Sequence, residues 1–153
     1  MYLMVYNCEA EAYAHSVARH CLAGPSPASL RPGWKENFHV LRTTQTDIYG
    51  AIQNAIDTWS GELYSYGAPS NVIYTQQMHN KLERRRFTKM IWGASREVGC
   101  ATHVCQGSYY NTICLYRSFV NTIGANIYPI GPICGACPAG PNNCNTAVGL
   151  CSW

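Results

Sequence analysis

Charge is scarce in this sequence, since Asp, Glu, Lys and Arg make up only 12% of its 153 residues, about half of the usual share of about 25%. The formal net charge is only +3, and the one dense basic run, at residues 84–86, follows Glu83 in a predicted helix. This run favours a solvated helix face over a nucleic-acid site, because no further basic stripe accompanies it. Long apolar runs are missing too, so no membrane span is predicted.

Cysteine, by contrast, is abundant, with nine residues in a chain long enough for one domain. Only Cys134 and Cys137 form a Cys-x-x-Cys pair, so a zinc knuckle is the weaker interpretation and disulfides are the stronger one. Disulfides are typical of a secreted, extracellular protein. Residues 1–6 lack the cationic start of a secretory signal, and an odd cysteine count leaves one thiol unpaired. We therefore expect an amino-terminal segment to have been lost.

Hydrophobic periodicity predicts helices and strands along most of the chain. Apolar residues recur at helical spacing over residues 10–21, which predicts a helix that buries Cys21. Residues 34–40 read as extended, a helix is expected near residues 82–91, and residues 98–104 and 109–116 read as a β-hairpin. Such a hairpin would bring Cys100 and Cys114 within bridging distance if the register allows it.

The clearest element is a second helix with one apolar stripe at the i, i+3, i+4, i+7 spacing. Continuing the stripe leads to Glu62. A carboxylate on an inward face needs a cation or hydrogen-bond donors, but a helix that frays at Gly61 would leave Glu62 exposed, and the pattern does not decide between the two. The members of the stripe are Ile48, Ala51, Ile52, Ala55, Ile56 and Trp59.

Several motifs together carry a resemblance to a known family. Arg-Phe-Thr-Lys-Met-Ile-Trp at residues 86–92 is followed by Ser-Arg-Glu-Val-Gly-Cys-Ala at residues 95–101; Glu-Asn stands at residues 36–37 and Trp-Ser-Gly-Glu at residues 59–62. The sequence resembles the CAP superfamily of cysteine-rich secretory, antigen-5 and pathogenesis-related proteins. Its cysteine-rich ending, residues 127–151, resembles that of the nematode activation-associated secreted and venom-allergen-like proteins.

The resemblance implies a three-layer α-β-α sandwich without its first helix. It divides the chain into a CAP domain at residues 1–123 and a cysteine-rich hinge-like tail at residues 124–153. The family's central cavity holds two His and two Glu that can bind a divalent metal. Here the carboxylates correspond to Glu36 and Glu62, Arg86 replaces one histidine, and the resemblance implies that the other lies in the missing amino-terminal segment. Because arginine offers only donors, we expect an ion pair from Arg86 to Glu36 or Glu62, and neither a metal nor another cofactor.

The resemblance also implies how the cysteines pair. The tail from Gly124 cannot build a core of its own and must be tied by disulfides. The implied pairs are Cys21 with Cys105, Cys100 with Cys114, Cys134 with Cys144, and Cys137 with Cys151, which leaves Cys8 unpaired.

As a function, the resemblance implies a secreted, non-enzymatic protein that binds an extracellular host protein or a sterol or other lipid. The family's sterol-binding loop would fall between Phe38 and Gly50, although the apolar residues there also fit ordinary core and loop. The alternative is a metal-dependent hydrolase, which the loss of both family histidines disfavours. The candidate sterol-loop residues are Phe38, Val40, Leu41, Ile48 and Tyr49.

Overall fold

A computed structural model of the protein describes residues 1–152 and contains four α-helices and six β-strands in that range. In chain order the elements are β1 (Val5–Tyr6), α1 (Cys8–Arg19), β2 (Trp34–Leu41), α2 (Ile48–Tyr66), α3 (Gln76–His79), α4 (Leu82–Met90), β3 (Glu97–Cys105), β4 (Tyr109–Arg117), β5 (Cys144–Asn145) and β6 (Leu150–Cys151). Short 3₁₀ helices lie at Ala28–Leu30 and Gly140–Asn143. No helix among these residues is long and apolar enough to cross a membrane.

The chain forms two compact units that do not follow the predicted boundary at residue 123. One unit, the sheet unit, comprises residues 6–61 and 97–118, and the other, the tail unit, comprises residues 1–5, 62–96 and 119–152. The cysteine-rich segment thus shares a unit with residues 62–96. A division into domains at residues 1–123 and 124–153 stays a prediction.

The sheet unit is built on β4, whose residues 110–116 are all buried. The predicted hairpin is present, with β3 antiparallel to β4 and Cys100 directly opposite Cys114. On its other side β4 pairs with β2, from Trp34 opposite Arg117 to Leu41 opposite Tyr110. The strand order is β1-β3-β4-β2. Because β4 pairs with β3 on one side and with β2 on the other, it is an interior strand of the sheet.

Helix α1 packs closely on one face of this sheet. Asn7 caps the helix, since its Oδ1 accepts from the Ala10 N–H at 2.8 Å. A Cβ at Gly99 would lie 2.4 Å from Glu11 N and 2.6 Å from Ala10 Cβ, so only glycine permits this approach of helix to strand. The core between them contains Ala10, Ala14, Val17, Ala18, Trp34, Ala101, Ile113 and Leu115.

The end of α1 corrects the prediction that this helix buries Cys21. The helix ends at Arg19, and Cys21 lies beyond it with a φ of +50° and only partial burial. The Cys21 N–H bonds back to Ala18 O at 3.2 Å, a short i→i−3 bond that tightens the end of the helix. The turn directs Cys21 to its partner Cys105.

Helix α2 resolves the two interpretations of Glu62. The helix does not fray at Gly61 but continues to Tyr66, and Glu62 is 6% exposed. Ala51, Ala55 and Trp59 are fully buried, and Trp59 Nε1 donates to Phe38 O at 3.3 Å. The first residue of the predicted stripe does not share this environment. Ile48, in the first turn, is 50% exposed.

The basic run at residues 84–86 is not a solvated helix face. All three arginines of α4 are partly buried. The Arg84 guanidinium lies 5.3 Å from the centre of the Tyr66 ring, and Arg86 forms an ion pair with Glu62. The prediction failed because successive helical residues point about 100° apart, so three neighbours in sequence cannot share one face.

Four disulfides join the same partners that the family resemblance implies. In the sheet unit the bridges are Cys21–Cys105 and Cys100–Cys114, and in the tail unit they are Cys134–Cys144 and Cys137–Cys151. Cys8 is free and exposed. The two tail bridges hold the short β5–β6 pair, in which Cys144 lies opposite Cys151.

Candidate functional site

Helices α2 and α4 bring together Glu62 and Arg86, two of the three predicted cavity residues. The Arg86 Nε donates to Glu62 Oε1, and the backbone N–H of Phe87 donates to Glu62 Oε2 at 2.9 Å. The side chains of Arg86 and Glu62 are 16% and 5% exposed. Both carboxylate oxygens therefore have a donor inside the protein.

The electrostatic balance at Glu62 shifts the group toward its protonated form. Burial raises the pKa of the Glu62 carboxyl above its usual value, because it removes the charged form from water. The Phe87 N–H, the Arg86 hydrogen bond and charge, and the Lys89 charge act in the opposite direction but do not fully offset the burial. Because Arg86 and Lys89 already supply positive charge to this carboxylate, it cannot readily attract a metal cation as well.

The third predicted cavity residue, Glu36, is held by a different set of donors. The N–H and the hydroxyl of Ser26 each bond to its carboxylate at 2.5 Å, one to each oxygen. The Nε of Arg31 lies 3.4 Å from Glu36 Oε2, and its guanidinium also donates to Trp34 O at 2.7 Å and to Ser26 O at 3.1 Å. Glu36 thus closes the loop that precedes β2.

Ser26 and Arg31 were not identified from the sequence. Both lie in residues 22–33, which carry no periodic pattern, so nothing in the sequence connected them with Glu36. A buried acidic residue needs donors, but that requirement does not name them. The structure supplies Arg31 to Glu36 and Arg86 to Glu62.

This donor set does not fit a divalent metal. Each carboxylate oxygen of Glu36 and Glu62 already accepts a hydrogen bond, and each carboxylate also forms an ion pair with an arginine, whose fixed positive charge opposes the approach of a metal cation. Within residues 1–152 no group of three or more His, Cys, Asp and Glu side chains is arranged to hold a metal ion.

The space beside Glu62 is also small. A cavity of about 10 Å³ is lined by Glu62 and by mainly apolar neighbours that include Met78, Phe87, Ile91 and Ile127. This volume is at the lower limit for one water molecule. The cavity cannot receive a substrate without rearrangement of its walls.

The candidate sterol-loop residues do not lie on one loop. Phe38, Val40 and Leu41 belong to β2, and Phe38 packs against the core under α1. Ile48 and Tyr49 begin α2 and are 50% and 82% exposed. The connecting loop is only residues 42–47, so the predicted loop between Phe38 and Gly50 was too long.

His39 and His103, which lie close in sequence to the matched family motifs, are on strands of the sheet unit. His39, on β2, contacts Asn54 Oδ1 through Nε2 at 2.8 Å. His103 lies on β3 opposite Asn111 of β4. The carboxylate of Glu36, in the same unit, accepts both of its 2.5 Å hydrogen bonds from Ser26.

Comparison with known proteins assigns the chain to a family. The model of the CAP cysteine-rich secretory protein family matches residues 1–116. The chain belongs to the CAP family. The Ancylostoma secreted protein of Ancylostoma caninum is 32% identical over 154 residues, covering 99% of this chain and 36% of that protein. Peptidase inhibitor 15 of Gallus gallus is 28% identical over 154 residues, covering 90% of this chain and 57% of that protein.

Solved CAP structures share the α/β fold, which confirms the predicted fold class. The crystal structure of NaASP2 with Zn²⁺ has a TM-score of 0.90 at 30% identity, over 99% of this chain and 77% of that one. The structure of BmVAL-1 has a TM-score of 0.87 at 26% identity, over 100% of this chain and 77% of that one. The chain spans about a third to somewhat over half of the length of the two curated relatives.

Proposed function

We propose that this CAP protein is secreted and acts outside the cell as a non-enzymatic binding protein whose target is an extracellular host protein. The observation that carries the proposal is the neutralisation of both family carboxylates. Arg86 and the Phe87 N–H occupy Glu62, while Ser26 and Arg31 occupy Glu36. A carboxylate with these donors is a poor general base and a poor metal ligand.

Two further facts support an extracellular role, and a third bears on how the protein recognises its target. Four disulfides are typical of oxidising compartments. A relative that covers nearly the whole chain is named a secreted protein. A surface with few charges, at 12% of all residues, leaves specificity to shape and apolar contacts.

The direct test is calorimetric titration of the purified chain with Zn²⁺, the ion present in the NaASP2 crystal structure. We expect no stoichiometric binding at micromolar concentration, and no hydrolysis of peptide or ester substrates with or without added Zn²⁺. Stoichiometric micromolar binding that both Glu36→Gln and Glu62→Gln abolish would show that these carboxylates are metal ligands. The proposal would then be withdrawn in favour of the hydrolase.

Sterol binding is the second candidate, because Ile48 and Tyr49 present adjacent apolar side chains to solvent at the start of α2. We expect Ile48→Ser with Tyr49→Ser to abolish any saturable binding of radiolabelled cholesterol. Tyr64→Ser is the matched control, since Tyr64 lies near the other end of the same helix and is 89% exposed. Equal loss in the control would show that the effect is not local to the first turn.

A further inference from the structure

The tail unit exposes aliphatic side chains in a segment without charge. Ile130 is 73% exposed and Ile133 is 80% exposed. Among the exposed Val, Leu and Ile side chains of residues 1–152, these two have the highest exposed fractions. Val148 is 55% exposed. No Asp, Glu, Lys, Arg or His follows Arg117 in the sequence. We call Ile130, Ile133 and Val148 the isoleucine patch.

The patch is held on a cross-linked frame. Ile133 precedes Cys134, which is bonded to Cys144, and the Cys137–Cys151 bridge closes the same segment. An ideal Cβ at Gly149 would lie 3.2 Å from Ile133 Cγ2, so Ile133 lies against the backbone next to Val148. Ile130 and Ile133 line neighbouring grooves that share Cys134 and Gly135. The disulfides have already ordered this backbone, which reduces the entropy cost of binding.

The chemistry of the patch restricts what can cover it. A segment without charged side chains cannot recruit a partner by charge complementarity. Three aliphatic side chains present a few hundred Å² at most, whereas a stable protein interface buries about 800 Å² on each partner. A second copy of the chain would therefore gain too little area. A lipid surface needs neither charge nor shape complementarity, since apolar side chains enter the boundary between headgroups and acyl chains.

We infer that the isoleucine patch is a weak docking site for zwitterionic lipid surfaces. This site is separate from the carboxylates of the proposed function and from the candidate sterol residues at the start of α2. It requires no conformational change, because Ile130 and Ile133 are already exposed.

The experiment is co-sedimentation of the full chain with vesicles of pure phosphatidylcholine, without sterol. Binding to phosphatidylcholine should not weaken between about 0.1 M and about 1 M NaCl, since no charge pair is involved. Ile130→Ser and Ile133→Ser should each lower the partition coefficient about tenfold. Both side chains are exposed, so neither change should disturb folding, which circular dichroism verifies.

Leu22→Ser is the matched control, because it removes an aliphatic side chain that is 47% exposed in the sheet unit. Three results would overturn the inference: no binding to phosphatidylcholine, binding only to anionic vesicles, or equal loss in Leu22→Ser and Ile133→Ser. Light scattering gives a fourth, because a dimer that Ile133→Ser dissociates would assign the patch to a second copy instead. None of these outcomes depends on Zn²⁺ binding or hydrolysis, so they do not bear on the proposed function.

Discussion

Replacing Arg86 with alanine tests the central feature of this site, the ion pair with Glu62. In the variant, the Glu62 carboxylate, which is 5% exposed, keeps only the Phe87 N–H and the favourable charge of Lys89 among the groups that stabilise its ionised form. Removing one partner of a buried pair is strongly destabilising, by about 3–5 kcal/mol. Arg86 itself is 16% exposed, so water compensates part of the loss, and the cost falls below the middle of that range.

Protonation of Glu62 sets a ceiling on this cost. The usual pKa of a glutamate is 4.5, so keeping the carboxyl protonated in the folded state at pH 7 costs about 3.4 kcal/mol relative to the unfolded chain. Burial already raises the pKa of Glu62 in the parent, so part of this cost is present before the substitution. We expect Arg86→Ala to lower the free energy of unfolding by about 2–3 kcal/mol at pH 7.

The pH dependence follows from the sign of the shift. A carboxyl whose pKa is higher in the folded than in the unfolded state destabilises the fold when it is ionised. This loss of folding free energy is absent below the unfolded pKa and grows as the pH rises toward the folded pKa. The difference between Arg86→Ala and the parent should therefore shrink as the pH falls from 7 toward 4.5. Adding Glu62→Gln should restore most of the lost stability at pH 7, because the amide oxygen can still accept from the Phe87 N–H.

Urea unfolding followed by circular dichroism, at several pH values between 4.5 and 7, measures these differences. Arg84→Ala is the matched control, since its guanidinium lies over the Tyr66 ring rather than on a carboxylate. Its loss should cost about 0.5–1 kcal/mol at every pH. If Arg86→Ala were as stable as the parent at pH 7, or if its deficit did not vary with pH, the account of Glu62 would be wrong.

Three other predictions address the fold. The hydrogen bond from Arg117 lowers the pKa of the Glu97 carboxyl. The ion pair should therefore stabilise the fold fully above the unfolded pKa of Glu97, and this stabilisation should be lost as the pH falls through the lower folded pKa. Glu97→Gln should remove this loss of melting temperature at acid pH. Gly99→Ala should lower the free energy of unfolding by about 1–3 kcal/mol, because the added Cβ would collide with α1. Gly61→Ala is the control and should be neutral or stabilising, because a Cβ there would meet nothing within 4 Å. A thiol reagent should label only Cys8 in the native protein; native labelling at a second position would contradict the four disulfides.

Local patterns in the sequence predicted much of the fold. Alternation in residues 98–104 and 109–116 predicted the hairpin, and its register does place Cys100 opposite Cys114. The apolar stripe predicted α2 and led to Glu62, which is buried. These features depend on neighbours in sequence, and hydrophobic periodicity reports them directly.

Other features depended on distant or aperiodic contacts and were missed. The helical spacing that included Cys21 continued past the true end of α1, because spacing alone does not reveal a turn with positive φ. The sequence did not show that Tyr49, which is 82% exposed, lies on α2 and not in the preceding loop, because the end of β2 was not known. Ser26 and Arg31 reach Glu36 from an irregular segment, for which no pattern exists.

The two carboxylates illustrate how hydrogen-bond donors limit the chemistry that a buried acidic side chain can perform. Oxygens of Glu62 accept from a side chain and from the backbone N–H of Phe87, and those of Glu36 accept from the N–H and the hydroxyl of Ser26. A metal would have to compete with two backbone donors that no side-chain substitution removes. Arg86→His alone therefore removes the repelling charge but leaves the Phe87 N–H on Glu62 Oε2. A metal site at Glu62 would also need further ligands, because within residues 1–152 no group of three or more His, Cys, Asp and Glu side chains is arranged to hold a metal ion.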